Sequence, residues 1–387
     1  MKKTGAFFRL LIICLGLCMS GCAGPKKAFV AVSSAEEQTQ TRETRLVVIE
    51  TEPETQAESQ PEEETEEEEI QVRTEQDGMI HSYLTGELVP VSQGKRRPLA
   101  IMMSNDRAAL PQYGINRAGV VYEAPVEANM NRYLAIIEDY DTLDRIGSVR
   151  SCRNYYIYLA KEYDALYAHY GQSTFAKPYL KYIDNINGIS GEGSGAYFRA
   201  RDKRSPHNAY ASFSGIQQAV SRLGYSQEYD EGYQGHFRFV APGKHVRLNG
   251  ADAREAWKIT PGYKLNQPWF EYNPEDGLYY RYQYGGPHEG SEGQIKVKNI
   301  IIQYCSAGYY ASTDYRNINV HEDSWGYFIT EGMMEDITWK KDGDFGVTHY
   351  YDASGREIVL NPGKTWVCII PTDDCIPLKA EGQNASP

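Results

Sequence analysis

The sequence predicts an α+β protein: an α/β unit with a mixed sheet, followed by a smaller, mostly antiparallel β unit. Three observations lead there. Between about residues 95 and 228, segments of strand character alternate with segments of helical length. After about residue 235 the texture changes to short runs rich in aromatic and β-branched residues. Turn signals such as NPEDG, KDGD, DASG and NPGK separate those runs.

In chain order, residues 1–22 come first, MKKTGAFFRLLIICLGLCMSGC. A basic start, an apolar run of about ten residues and small residues before Cys22 read as a lipoprotein signal peptide. The run is too short to span a bilayer as a mature helix. MSGC looks like a bacterial lipobox, with Cys22 as the lipidated residue and Met19 where leucine is usual. Each buried methylene of the acyl chains adds about 0.8 kcal/mol, so several chains on one cysteine anchor stably. Residues 23–94 then read as a disordered acidic spacer. Residues 36–78 hold 16 Asp/Glu against 3 Lys/Arg, a net of −13, while the whole chain of 387 residues carries −12. Such a segment buries too little apolar surface to offset its ordering entropy. About 70 flexible residues span roughly 45–50 Å r.m.s., more with like-charge repulsion. The acidity therefore belongs to the spacer, and it says nothing of nucleic acid or of an acidic substrate.

Within the α/β unit, 95–228, PLAIMMS, GVVYEAPVE, RYLAIIEDY and DALYAHYG read as strands, and CRNYYIYLAKEY, STFAKPYLKYI and SGIQQAVSRLGY as helices. In the β-rich unit, 235–378, the strand candidates are HFRFV, PWFEYN, LYYRYQY, NIIIQYC, WGYFITEG, DITWKKDG, VTHYYD and TWVCIIP. Residues 379–387 read as a flexible tail. The 31 tyrosines are first of all core and sheet-face residues, with a sugar-stacking groove as the functional reading of a minority.

The stretch IGSVRSCRNYYIY, residues 146–158, carries the sharpest functional signal. Ser151 is a plausible N-cap for the helix that follows, which puts Arg150 before the cap and Arg153 in the first turn. A cation there opposes the helix dipole unless an anion joins it. That anion is either a ligand phosphate or carboxylate, or one of the protein's own carboxylates, such as Glu123 or Glu127. Arg132 opens a strand, and YFRARDKRSPHNAY adds Arg199, Arg201, His207 and Asn208 in a basic loop. Glu123 and Glu127, four apart in an extended segment, are expected on one side of it. Cys152 beside two arginines invites a thiolate reading; a small buried cysteine is the ordinary alternative. Cys368 and Cys375 flank IIPTDD and could close a small disulfide loop. No G-x-S-x-G, Walker A, H-E-x-x-H or EF-hand pattern occurs, and the histidines are scattered, so no cofactor and no metal are expected.

The segments RRPLAIMMSND, GVVYEAPVEANMNRYLAIIED, IGSVRSCRNYYIYLAKEYDALYAHYG and SPHNAY, with KNIIIQY, ITWKKDG and THYYDASGREIVLNPGKTWVCIIP, resemble the YerB-like bacterial lipoproteins. The resemblance covers about residues 95–375 and implies a bacterial envelope lipoprotein with paired N- and C-terminal domains and no established activity. Glu123, Arg132, Arg150, Arg153, His207 and Asn208 match that family's motifs. Family members often carry alanine where this chain has Cys152, which counts against a cysteine nucleophile. By looser analogy, HNAYASFSGIQQAVSRLGY looks somewhat like enzymes that transfer phospho-linked polymers to the bacterial wall. The expectation is an extracytoplasmic lipoprotein on the outer face of the cell membrane, non-catalytic. It would bind an anionic envelope ligand (a wall glycan or phospho-polymer) or an envelope partner protein through Arg132, Arg150, Arg153, Arg199, Arg201, His207, Asn208, Glu123 and Glu127. The alternative is a transferase or hydrolase acting on phosphorylated or glycosidic wall polymers through the same arginines.

Overall fold

Eleven strands form one mixed sheet. In chain order they are β1 (Leu99–Ser104), β2 (Ala118–Pro125), β3 (Asn131–Ile137), β4 (Leu166–His169), β5 (Asn185–Asn187), β6 (Arg254–Glu255), β7 (Asn299–Cys305), β8 (Ser324–Thr330), β9 (Met333–Lys341), β10 (Thr348–Tyr351) and β11 (Thr365–Pro371). Their order across the sheet is β6-β9-β8-β7-β11-β2-β3-β1-β4-β5, with β10 paired to β9. The computed structural model describes residues 70–383. The signal peptide, Cys22, the spacer to residue 69 and residues 384–387 lie outside the described residues.

The sheet joins the two stretches of different texture. β11 pairs in parallel with β7 on one side and with β2 on the other, where Cys368 lies opposite Glu123. All seven residues of β11 are buried, as are all eight of β2 and all seven of β3. A strand covered on both faces has no solvent side, so it carries a continuous apolar run instead of an alternation. Toward the β9 edge the alternation returns: from Ile337 to Lys341 every second residue is buried.

One face of the sheet is covered by helix α1 (Asn154–Lys161), whose Tyr155, Tyr156 and Leu159 pack with Tyr122, Leu134 and Ile136. The other is covered by helix α2 (Phe213–Leu223) and by a second, antiparallel sheet. That sheet includes Lys258–Thr260, Trp269–Asn273 and Leu278–Gln283. Helix α2 has a complete start and stop: the Ser212 hydroxyl accepts from the Gly215 amide at 3.2 Å, and Gly224 ends it at φ 71°.

Several expectations need correction. STFAKPYLKYI forms only a short 3₁₀ segment, Lys177–Tyr182, none of whose six residues is buried. Only Tyr179 and Leu180 pack, half-buried, against the core, which is too little to extend it. HFRFV makes single bridges at Phe239 and Val240 and no strand. Residues 70–94, assigned to the spacer, are structured: Met79–His81 pairs with Leu88–Pro90, and Ile80 and Leu84 are buried. Apolar residues return at MIHSYLTGELV, enough to pack a hairpin. The tail is likewise structured at its start, where Lys379–Glu381 pairs with Lys258–Thr260.

Two ionic groups lie fully inside. Glu123 Oε1 accepts from Asn131 Nδ2 at 2.7 Å and Asn266 Nδ2 at 2.9 Å. Its Oε2 accepts from Arg281 Nη2 at 2.7 Å and Trp366 Nε1 at 3.1 Å. Arg281 also donates to His288 Nδ1 at 2.5 Å. His288 Nε2 must then carry the proton, which it gives to Gln112 Oε1 at 2.9 Å. Burial, with Arg281 adding, holds His288 well below its ordinary pKa, so it is neutral. The second group is Glu162, which binds Lys341 and accepts from the Thr348 amide at 2.9 Å and hydroxyl at 3.1 Å. His236 Nδ1 lies 3.2 Å from the same carboxylate, and burial pushes that imidazole down to about 4 despite it.

Removing one partner of a buried pair strands the other charge, at a cost of about 3–5 kcal/mol. Urea melts of Glu123→Ala should show a loss of that size. Adding Arg281→Met should recover part of it, because the stranded guanidinium is then gone.

Candidate functional site

Arg132, Arg150, Arg153, Arg199 and His207 do come together, with only Arg153 at a helix entrance. Residues 146–153 run extended: the Arg150 amide donates to the Met102 carbonyl at 3.0 Å, and the Arg150 carbonyl accepts from the Tyr170 amide at 3.0 Å. Cys152 continues this lacing to Gly171. Helix α1 therefore begins only at Asn154, with Arg153 at the N-cap and no side-chain cap. Ser151, expected as the cap, turns its hydroxyl to the Tyr170 carbonyl at 3.0 Å.

The arginines divide into two classes. Arg153 grips Glu127 with both prongs, Nε to Oε1 at 2.6 Å and Nη2 to Oε2 at 2.5 Å. Arg132 donates to the Ser151 carbonyl at 2.6 Å and lies 4.0 Å from the same carboxylate. Burial pushes Arg132 down to about 10, with Arg153 and Arg150 adding and Glu127 opposing. Burial alone would raise Glu127, but Arg153 and Arg132 outweigh it and hold its carboxyl below the usual range.

Arg150 and Arg199 form the other class. Among the described residues neither has a carboxylate within 4.0 Å. Arg150 Nη1 donates to the Pro206 carbonyl at 3.0 Å. Burial draws its pKa down, Asp106 opposes, and Arg153 and Arg199 add to the fall. Arg199 is held by Asn208 Oδ1 at 2.6 Å and lies over the Tyr170 ring at 4.8 Å. His207 Nε2 is 3.8 Å from Asp106 Oδ1. Burial lowers its pKa, as do Arg150 and Lys203, against Asp106. His207 Nδ1 has no hydrogen-bond partner, and neither have Asn105 Nδ2 and Ser148 Oγ, on residues 2% and 0% exposed. Asn105, Asp106, Ser148 and Tyr170 escaped the sequence reading. The signal for the first two was the polar SND closing β1, opposite Arg132 of β3.

Three sequence-level candidates fall elsewhere. Glu123 sits in the core with Arg281, away from Glu127, because the extended chain ends at Pro125 and the 3₁₀ turn Glu127–Asn129 breaks the alternation. Arg201 is exposed. Cys152 is buried, and burial pushes its thiol up to about 12 against the pull of Arg153, so no thiolate forms near neutral pH. Cys152, Cys305, Cys368 and Cys375 are all free, so Cys368 and Cys375, which could have closed a disulfide loop, are not bridged. Cys368 points into the core near Glu123 and Tyr263. Among the described residues no group of three His, Cys, Asp or Glu side chains could hold a metal ion, and no helix is long and apolar enough to cross a membrane.

Residues 84–226 match the N-terminal domain, and residues 259–367 the C-terminal domain, of a protein family of unknown function, DUF3048. The chain belongs to the DUF3048 family. It is 27% identical over 308 residues to YerB of Bacillus subtilis (strain 168), which carries the provisional description of a lipoprotein; the match covers 77% of this chain and 89% of YerB. The crystal structure of the Bacillus subtilis YerB protein superposes with a TM-score of 0.67 at 26% identity, covering 77% of this chain and 99% of that one. The DUF3048 match spans the whole arginine cluster, from Asn105 to Asn208.

The Glu127 clip has a definite pH signature. Its folded pKa is below the unfolded one, so its stabilisation is present above about pH 4.3 and is lost as pH falls through the lower folded value. Glu127→Gln should cost about 3 kcal/mol at pH 7. In urea melts the gap to the parent should shrink by pH 3.

Proposed function

We propose that this DUF3048 protein is a lipoprotein of the cell envelope, anchored through Cys22 on the outer face of the membrane. Its arginine cluster binds an anionic envelope ligand, a wall glycan or phospho-polymer. The spacer would hold the folded body off the membrane surface.

The supporting observation is the division among the arginines. Arg132 and Arg153 share Glu127, and this clip holds the backbone from which Arg150 projects. Arg150 and Arg199 donate only to neutral groups. Arg150 is half-buried without a counter-ion, which is costly, and Arg199 stands exposed near it; an anion that accepts from both relieves the cost at Arg150. His207, whose Nδ1 has no hydrogen-bond partner, supplies further hydrogen-bonding capacity near Arg150. A phosphate group, with several acceptor oxygens, matches this set better than a single carboxylate. Cys152, the nucleophile candidate that the sequence offered, is buried and protonated. The reading is therefore of binding without turnover.

Titration calorimetry with inorganic pyrophosphate and with purified anionic wall polymer tests this. Arg150→Ala and Arg199→Ala should each weaken binding by about tenfold, equivalent to about 1.4 kcal/mol. Their thermal melting should stay close to the parent. Unchanged affinity in both variants would sink the proposal.

A further inference from the structure

A cavity of about 590 Å³ opens between the start of β2, the strand Leu278–Gln283, the segment 292–298 and the turn before β11. Sites for small molecules are typically about 300–1,000 Å³, apolar, with few polar groups. Ile115, Val121, Ile295 and Val297 give this one an aliphatic floor.

Four cations stand in its walls, and three already have carboxylates. Arg117 meets Asp139 and Glu292, each at 2.7 Å. Lys296 meets Asp276 at 3.4 Å, and Lys298 meets Glu331. Lys364 is different. Its ammonium donates to the Asn116 carbonyl and, among the described residues, has no carboxylate within 4.0 Å. Burial draws its pKa down, and Arg117 adds to this, while Glu87, Glu292 and Asp139 oppose. An anion placed in the cavity would oppose the same fall.

We propose that this cavity binds a small amphipathic anion, one acidic head on Lys364 and an apolar body on the aliphatic floor. One head group is the expected number. The other wall cations are neutralised, and Glu87, Asp276 and Glu292 in the lining repel a second negative charge. The ligand class is an alkyl or aryl carboxylate or sulfonate, distinct from the multiply charged ligand of the arginine cluster.

Fluorescence titration separates the two parts of this claim. Two probes share an aryl body: 8-anilinonaphthalene-1-sulfonate, which has the acidic head, and N-phenyl-1-naphthylamine, which lacks it. The protein is the full chain with Cys22→Ser, so that no detergent is needed. The sulfonate should bind at least tenfold more tightly than the neutral amine. Lys364→Gln should remove that preference, and Lys364→Arg should keep it. Leu278→Trp, at a half-buried wall position, should weaken both probes by filling the space. Arg150→Ala should change neither, which keeps this test independent of the arginine cluster. Equal sulfonate affinity in the parent and Lys364→Gln overturns the proposal. So does unchanged binding in Leu278→Trp, which serves if Lys364→Gln fails to fold by circular dichroism.

Discussion

A carboxylate with no exposed atom cannot be left short of donors, and Glu123 has four. They come from β3, from Asn266, from the strand Leu278–Gln283 and from β11. Meeting that one charge therefore brings together residues up to 243 positions apart in sequence. The same contact places Trp366 and Arg281 against the ring of Tyr133, within 5.2 and 5.5 Å of its centroid. Around it the second sheet is seated on the first. A buried pair of this kind adds little net stability against an apolar replacement. Its role here is register, since a one-residue slip of β11 against β2 would carry the Trp366 donor to the opposite face.

The same accounting distinguishes the arginine cluster from ordinary buried ion pairs. Arg97, Arg281 and Arg316 each find a carboxylate. Glu127 serves two guanidinium groups, and Arg150 and Arg199 are left with carbonyl, amide and hydroxyl oxygens. Electrostatic repulsion among these neighbours is tolerated because the segments carrying them are pinned by backbone hydrogen bonds. The fold thus fixes Arg150 and Arg199 in place without giving either a carboxylate within 4.0 Å, which is the condition that the proposed anion binding uses.

Much of this was readable in the chain. Uniform apolar runs such as LAIMMS and TWVCIIP announce strands, because a strand covered on both faces admits no polar alternation. SFSGIQQAVSRLG announces a helix, because cap, stripe and terminating glycine agree. Arg132, Arg150, Arg153, Arg199, His207 and Asn208 were recognisable as a group from residue type and local motif. Which of them are satisfied was not. The sequence suggested Ser151 as a cap, and only the pairing of Arg150 and Cys152 with distant carbonyls delays the helix to Asn154.

Sequence alone determined the local properties of this protein: the acidic leading segment, the positions of most strands and of two helices, and the concentration of arginine around residue 150. Those depend on composition and on periods of two or 3.6 residues, which are visible in short windows. The tertiary structure decided the rest. It set β11 beside β2, sent Glu123 to Arg281 and Glu127 to Arg153, and left Lys364 on a carbonyl in a cavity wall. The two ion pairs are choices of partner across 158 and 26 residues, and no local pattern encodes which carboxylate a given cation will reach.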